Sequence, residues 1–293
     1  MTIAPMAAHV GCPSHLPGLW DFLNLLVEDR SGGGFSSVCG GDKVCAMGTV
    51  QVRRVGEVAE IVLSRPEKLN AMNMAWVNGL VEAVASLERD KPAIVVVRGE
   101  GRAFCAGLDL DMLAAESMPD GFYALQEAAF VGLERLDRLV IAQIHGYCLG
   151  GGLQLALACD IRILAEDAVL GLPAAAEGLP PGMATWRLPR FVGMGRAMRL
   201  SVGGERIGAR EALAIGLADH VLPVADFADS AAGLVAHYLA VPQAAARATK
   251  ELVRSAFDTD FAAAHARSRA LVAECLAGPD VAAARAAWSA RRS

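Results

Sequence analysis

The stretch A-Q-I-H-G-Y-C-L-G-G-G-L-Q-L-A-L-A-C-D, Ala142 to Asp160, decides how this chain reads. A short apolar segment enters three consecutive glycines, Gly150 to Gly152, and an apolar helical run leaves them from Leu153 to Cys159. Glycine inside a regular element is destabilising by about 0.5–1 kcal/mol. Three together at a strand-to-helix junction therefore imply close backbone approach to something else. A helix start has N–H groups without intrahelical partners, and its dipole adds partial positive charge. A glycine turn there exposes donors to a negatively charged oxygen, either a phosphate or an oxyanion. On this stretch alone, a tight turn that packs helix against strand explains the glycines equally well.

Outward from the glycines, the pattern alternates. Val50 to Leu63 reads as a hairpin around Gly56-Glu57, ended by Pro66. A helix follows to about Leu87, with Met74, Val77, Leu80, Val81, Val84 and Leu87 at helical spacing. Ala93 to Arg98 is a continuous run rich in β-branched residues, as expected of a buried parallel strand. The loop G-E-G-R-A-F-C-A-G-L-D-L then returns to helix at Leu110. Residues 122–138 read as an amphipathic helix, Val140 to Ile144 and Ile161 to Leu164 as strands, and Ala168 to Leu170 as a short one. Such alternation argues for stacked β-α units, whose strand-to-helix junctions near 105–109 and 149–152 form the ligand-binding edge. Farther on, Ile207 to Leu217 reads as a helix closed by Gly216, Asp219 to Pro223 as extended, and 226–257 and 261–290 as Ala-rich helices.

Composition narrows the class. The 293 residues are 54% hydrophobic, enough for a sizeable core, and only 5% aromatic. A net charge of −5 gives no basic footprint, so nucleic acid is not an expected partner. No apolar run reaches the length of a membrane span, and no secretory signal is read. The seven cysteines include no C-x-x-C pair, which suggests buried thiols in a reducing, cytoplasmic setting with no metal site. Residues 1–46 differ from the rest and are expected to form a poorly ordered extension, with Leu19 to Glu28 able to form one short helix. A core over 47–240 and a helical region over 241–293 complete the expected division.

Five motifs, in order, carry a family resemblance: R-P-E-K-L-N-A-M-N (65–73), G-R-A-F-C-A-G-L-D-L (101–110), H-G-Y-C-L-G-G-G-L-Q-L-A-L-A-C-D (145–160), L-P-R-F-V-G (188–193) and G-L-A-D-H-V (216–221). Together they resemble the crotonase superfamily, the enoyl-CoA hydratases and isomerases. The resemblance implies an α/β fold, a spiral of ββα units with a C-terminal helical trimerisation region, assembled as a homotrimer or dimer of trimers. It implies an acyl thioester substrate on CoA or an acyl-carrier protein, with no cofactor besides the CoA of the substrate. It further implies that two backbone N–H groups, those of Ala106 and Gly151, hold the thioester oxygen and stabilise an enolate. Lys68, Leu69 and Ala71 match the stretch that lines the CoA end; Gly107, Leu108, Asp109, Gln154 and Ala174 are the further substrate-side positions. Independently of the resemblance, Asp109 reads as the cap of the helix that follows, and Lys68 as a solvated charge after a turn.

The chain departs from that family at the acids. Its hydratases carry two glutamates, which activate water and supply a proton; here those positions hold Gln154 and Ala174. An amide cannot take a proton near neutral pH, and a methyl group can do neither job. The later loop, G-L-P-P-G-M-A-T-W-R-L-P (178–189), offers Gly182 and Met183 where some isomerases have a carboxylate. Glu177 is the remaining candidate base, on the expectation that apolar neighbours raise its pKa; the alternative places it in solvent or against Arg187. The expected chemistry is isomerisation, decarboxylation or another enolate reaction needing at most one acid/base group. The P-G-M-A-T stretch (181–185) also resembles decarboxylases that make β-branches in polyketide assembly. A non-catalytic thioester-binding or scaffold subunit is the reading from another class.

Overall fold

The computed structural model describes residues 44–114 and 118–290. The helix expected over Leu19 to Glu28, and the rest of the extension up to residue 43, lie outside the described residues. The described residues divide into two units, one ending at Lys250 and the other starting at Glu251.

In the first unit, β1 (Val44–Met47), β2 (Val50–Val55) and β3 (Val58–Leu63) form an antiparallel meander, with Val55 opposite Val58 at the expected hairpin turn. Helix α1 (Met74–Asp90) follows. Asn73 caps it by accepting a hydrogen bond from the Trp76 N–H at 2.9 Å, and its buried stripe runs through Trp76, Val77, Leu80, Val81, Val84 and Leu87. The periodicity of the sequence placed this helix correctly because a single face is buried.

A repeated unit then begins. Each turn supplies a longer strand, a corner, a short strand and a helix. The first turn is β4 (Ile94–Gly99), β5 (Ala103–Cys105) and α2 (Leu110–Leu113), followed by α3 (Phe122–Arg135). The second is β6 (Leu139–Ile144), β7 (Tyr147–Leu149) and α4 (Gly151–Ala158). The third is β8 (Ile161–Ala165), β9 (Val169–Gly171), a 3₁₀ turn over Pro173–Glu177, and then α5 (Ala184–Val192) and α6 (Met194–Gly203). The longer strands stack in parallel as β4-β6-β8 within one seven-stranded sheet. The short strands stack in parallel as β5-β7-β9 within a second, four-stranded sheet. Two sheets built in step from successive turns make the chain a spiral of ββα units.

The remaining strands close the two sheets. β10 (Arg206–Gly208) pairs antiparallel with β9, α7 (Ala209–Ala214) follows, and β11 (His220–Leu222) pairs parallel with β8. The helix expected over Ile207 to Leu217 is thus corrected to a strand and a shorter helix. Ile207 is buried opposite Leu170, and the edge pairing it gains outweighs local helix propensity. Helices α8 (Phe227–Leu239) and α9 (Gln243–Ser255) replace the single helix expected over 226–257; Pro242, without an N–H, stands between them.

β4 is buried on both faces, as its β-branched run implies. Ile94, Val96, Ile141 and Ile163 pack with Ala231 and Val235 of α8 on one side of the large sheet. Arg162 is also buried, bonded through Nε to the Leu217 carbonyl at 2.9 Å and through Nη2 to Asp219 at 2.8 Å.

The second unit contains the end of α9, α10 (Phe261–Ala277) and α11 (Pro279–Ala290). Asp260 caps α10 by accepting from the Ala263 N–H. The single helix expected over 261–290 breaks at Gly278-Pro279, where proline begins the new helix at the position that needs no N–H. No described helix is long and apolar enough to cross a membrane.

Candidate functional site

The site is built where two turns of the spiral meet, and a third segment fixes their register. That segment is 65–72, which follows β3. After the 3₁₀ turn Pro66–Lys68, both Leu69 and Asn70 take left-handed backbone conformations, with φ of 51° and 57°. A leucine is strained there, so something else must hold the turn. Asn70 does so. Its side chain is fully buried, accepting from the Arg65 N–H at 2.8 Å and donating to the carbonyls of Glu100 at 2.9 Å and Ala103 at 2.8 Å.

The chain after Asn70 lies parallel to the 105–109 loop. The Ala106 N–H donates to the Leu69 carbonyl at 3.0 Å, the Met72 N–H to the Gly107 carbonyl at 2.7 Å, and the Asp109 N–H to the Met72 carbonyl at 3.0 Å. Met72 and Leu108 are the bridge partners. In a parallel bridge one residue bonds to the neighbours on either side of its partner, so the partner's own N–H points the other way. Leu108 is that partner, and its N–H has no hydrogen-bond partner among the described residues.

This corrects the sequence reading by two positions. Ala106 was expected to offer a free donor, but its N–H is spent on Leu69. Leu108, expected only to line the substrate, has the free one.

The second donor comes from the glycine triplet. Gly150 takes a φ of 52° as the N-cap of α4, and its N–H donates to the Gly171 carbonyl at 2.9 Å. Gly151 opens the helix, and its N–H has no partner among the described residues. Gly107, at φ +101°, faces this turn: a Cβ on it would lie 3.0 Å from the Leu149 oxygen and 3.5 Å from the Gly151 nitrogen. A Cβ on Gly152 would lie 2.2 Å from the Cys105 carbonyl oxygen, so only glycine lets the two junctions approach this closely. Two neighbouring backbone N–H groups without internal partners can together hold one anionic or partly anionic oxygen.

The first junction is also pinned electrostatically. Asp109 is 5% exposed. It accepts from the Asp111 N–H at 3.0 Å and pairs with the Arg65 guanidinium, which also donates to the Ala71 carbonyl at 3.1 Å. Burial alone would raise the Asp109 carboxyl, but the bonds from Arg65 and the Asp111 backbone, with the charges of Arg65 and Lys68, hold it below the ordinary carboxylate range. Asp109 therefore caps α2 and anchors Arg65, and neither of its oxygens is left over for a substrate. Lys68 is exposed and pairs with Asp111 at 2.8 Å. Ala71 is buried and has both backbone groups engaged, its N–H by the Lys68 carbonyl. Cys105 is fully buried and donates to the Asn70 carbonyl at 3.1 Å; burial pushes its thiol up to about 12, which excludes a thiolate.

The facing side lacks such order. Gln154 stands one turn along α4, with its amide oxygen 2.8 Å from where a Cβ on Gly182 would sit. Its side-chain amide makes no hydrogen bond to any described residue, while its backbone N–H donates to the Gly150 carbonyl at 3.1 Å. Ala174 lies half-buried in the 3₁₀ turn Pro173–Glu177, and its carbonyl accepts from the Leu179 N–H at 2.9 Å. Glu177 closes that turn, exposed and without a hydrogen bond or ion pair to any described residue. The burial expected to turn it into a base is absent. Arg187 is not its partner either: that guanidinium is 3% exposed and is held by Glu134 at 2.8 Å and Glu127 at 2.5 Å. Burial would lower Arg187, but these bonds and charges outweigh it, so the guanidinium stays charged and both glutamates stay committed.

Sequence reasoning missed one residue. Gln126 on α3 is buried and donates through Nε2 to the Met72 sulfur at 3.1 Å. The same nitrogen is 3.2 Å from where a Cβ on Gly151 would sit. The signal was present in the sequence: Gln126 interrupts the apolar stripe Phe122, Ala129, Phe130, Leu133 at helical spacing.

Comparison with known proteins agrees with this architecture. The sequence model of the enoyl-CoA hydratase/isomerase family matches residues 53–290. A short-chain-enoyl-CoA hydratase from Clostridium acetobutylicum is 31% identical over 239 residues, covering 80% of this chain and 92% of that protein. The crystal structure of enoyl-CoA hydratase from Thermoplasma volcanium GSS1 superposes with a TM-score of 0.77 at 32% identity, covering 83% of this chain and 98% of that one. A relative from Thermobifida fusca YX, solved in complex with CoA, has a TM-score of 0.71 at 38% identity, over 78% of this chain and 93% of that one. With its ββα spiral and these matches, the chain belongs to the enoyl-CoA hydratase/isomerase family, the crotonase superfamily.

Proposed function

We propose that this protein binds an acyl thioester, on CoA or an acyl-carrier protein, and stabilises its enolate between the N–H groups of Leu108 and Gly151. One observation carries the reading: these two donors, from successive turns of the spiral, adjoin each other and have no hydrogen-bond partner among the described residues. Backbone donors fixed before the reaction need no reorganisation as charge moves onto the thioester oxygen, and each such donor contributes about 10²–10³-fold to rate. The Thermobifida fusca relative crystallised with CoA supports the thioester as ligand.

The reaction is isomerisation or decarboxylation rather than ordinary hydration. Addition of water needs one group to activate the water and another to supply the proton. Gln154 and Ala174 supply neither, Glu177 lies in solvent, and Asp109 and Glu127 are held by Arg65 and Arg187. Decarboxylation needs less. The C–C bond to the carboxyl carbon breaks, its electron pair enters the thioester enolate, carbon dioxide leaves, and water protonates the α-carbon. The same reading takes no cofactor beyond the CoA of the substrate and implies a cytoplasmic homotrimer or dimer of trimers.

Product analysis by mass spectrometry tests it, with crotonyl-CoA, a 3-enoyl-CoA and malonyl-CoA as substrates. The expected result is conversion of the 3-enoyl or malonyl thioester with negligible hydration of crotonyl-CoA. Hydration of crotonyl-CoA at an ordinary enzymatic rate would refute the reaction class. CoA binding without turnover of any of the three would identify a non-catalytic thioester-binding subunit instead.

A further inference from the structure

Gln126 is an unusual group to find at this depth. It is 5% exposed, on the buried face of α3, and the one hydrogen bond its side-chain amide makes to a described residue is donated to a thioether sulfur, a weak acceptor. The carboxamide oxygen and the second N–H have no partner among the described residues. That oxygen is not among the described atoms that are both fully buried and unpartnered, so it keeps contact with solvent and is open to a hydrogen-bond donor. An aliphatic side chain of similar size, such as leucine, would complete the apolar stripe of α3 without bringing an amide to this depth. The amide is also held in one place, because Met72, on which it leans, is fully buried and is the bridge partner of Leu108. Its nitrogen adjoins Gly151. Gln126 therefore stands beside the Gly151 donor and against Met72, whose backbone pairs with Leu108, and it offers one donor and one acceptor.

We infer that Gln126 is a specificity-determining residue, selecting acyl thioesters that carry an oxygen on C3 over those with a plain hydrocarbon chain. The inference rests on the thioester reading above. With the thioester oxygen held at Leu108 and Gly151, C3 is the first acyl position whose substituent lies clear of the carbonyl. A neutral amide hydrogen-bonds an oxo, hydroxyl or carboxyl oxygen there and gains nothing from a methyl group. A site built to hydrogen-bond such an oxygen discriminates against analogues that lack it, because its own polar atoms are then left unpaired. Among the enolate reactions proposed above, this selects decarboxylation, whose substrate carries a carboxyl group as C3, over isomerisation of an unsubstituted enoyl chain.

Calorimetric titration of the full-length protein with acetoacetyl-CoA, butyryl-CoA and CoA alone tests the inference. Wild type is expected to bind acetoacetyl-CoA about five- to ten-fold more tightly than butyryl-CoA, the worth of one hydrogen bond. In Gln126→Leu that ratio falls to within about two-fold. Gln126→Met, with a different shape and equally apolar, gives the same loss if Leu fails to fold. A purely structural role would weaken both ligands together and leave their ratio intact, and that result overturns the inference. So does wild type binding both acyl-CoAs equally. Failure of all three ligands to bind would instead remove the thioester reading, and this inference with it.

Discussion

The two sides of the site are made in opposite ways. The donor side, 105–109 with 150–152, is all backbone, and each of its turns is tied by side chains or carbonyls from elsewhere. Asn70 holds 65–71 against 100–103 with three bonds, Arg65 holds Asp109, and the Gly171 carbonyl holds Gly150. The facing side, Gln154 with 174–183, has an amide without a partner among the described residues, a methyl group, and a glutamate turned to solvent. The contrast separates two components of catalysis. Stabilising an oxyanion depends on main-chain geometry, which many sequences can supply once the fold is made. Moving a proton depends on particular side chains, and the facing side presents Gln154, Ala174 and an exposed Glu177.

Breaking the donor side is expected to give the largest effect. Gly151→Pro removes one donor at the first position of a helix, where proline's φ is acceptable; its Cβ would lie 2.7 Å from the buried Met72 sulfur, so circular dichroism is used first to select for a retained fold. Turnover of the thioester identified by product analysis is expected to fall by about 10²–10³-fold, read as kcat at saturating substrate. Unchanged turnover would remove Gly151 from the donor pair. Asn70→Ala comes next. It removes the partner of the Arg65 N–H, of the buried Ala103 carbonyl and of the partly buried Glu100 carbonyl, and a loss of about 3 kcal/mol of stability is expected, measured by denaturant unfolding. Asp109→Asn should be milder, about 1–2 kcal/mol at neutral pH. Its pH dependence follows from the sign of the shift. The folded carboxyl is depressed, so its contribution is present above the ordinary value of about 3.9 and is lost as pH falls through the depressed one. The stability gap between wild type and Asp109→Asn should therefore close in acid, which unfolding curves across pH would show. The smallest effect belongs to the facing side: Glu177→Gln should leave kcat within about two-fold, since an exposed carboxylate without partners can be replaced at little cost. A larger fall would restore Glu177 as a base.

Much of the fold was legible, and particular residues show why. The stripe of α1 and the β-branched run of β4 announce themselves because each has one environment along its length. The short strands β5, β7 and β10 do not, because three residues show no period. β10 was read as helix for that reason, and only its pairing with β9 decides otherwise. At the site, the glycine triplet located Gly151, since a helix start leaves its N–H free whatever packs around it. The other free N–H was expected at Ala106 and lies at Leu108, because the choice between 106 and 108 depends on register. That register is set by Met72, more than thirty positions earlier in the chain, and no local pattern encodes it. Glu177 failed for a related reason: small apolar neighbours in sequence do not bury a side chain that the turn points outward. Gln126 was visible as one polar residue in an apolar stripe, but which wall of the site that stripe faces is a fact of packing.

The central claim is that the N–H groups of Leu108 and Gly151 receive the thioester oxygen. A crystal structure with a non-hydrolysable acyl-CoA analogue tests it most directly. The account predicts the acyl oxygen within about 2.7–3.1 Å of both nitrogens, with the Ala106 N–H still bonded to Leu69. An acyl oxygen bound instead by Ala106, or lying away from Gly151, would contradict it.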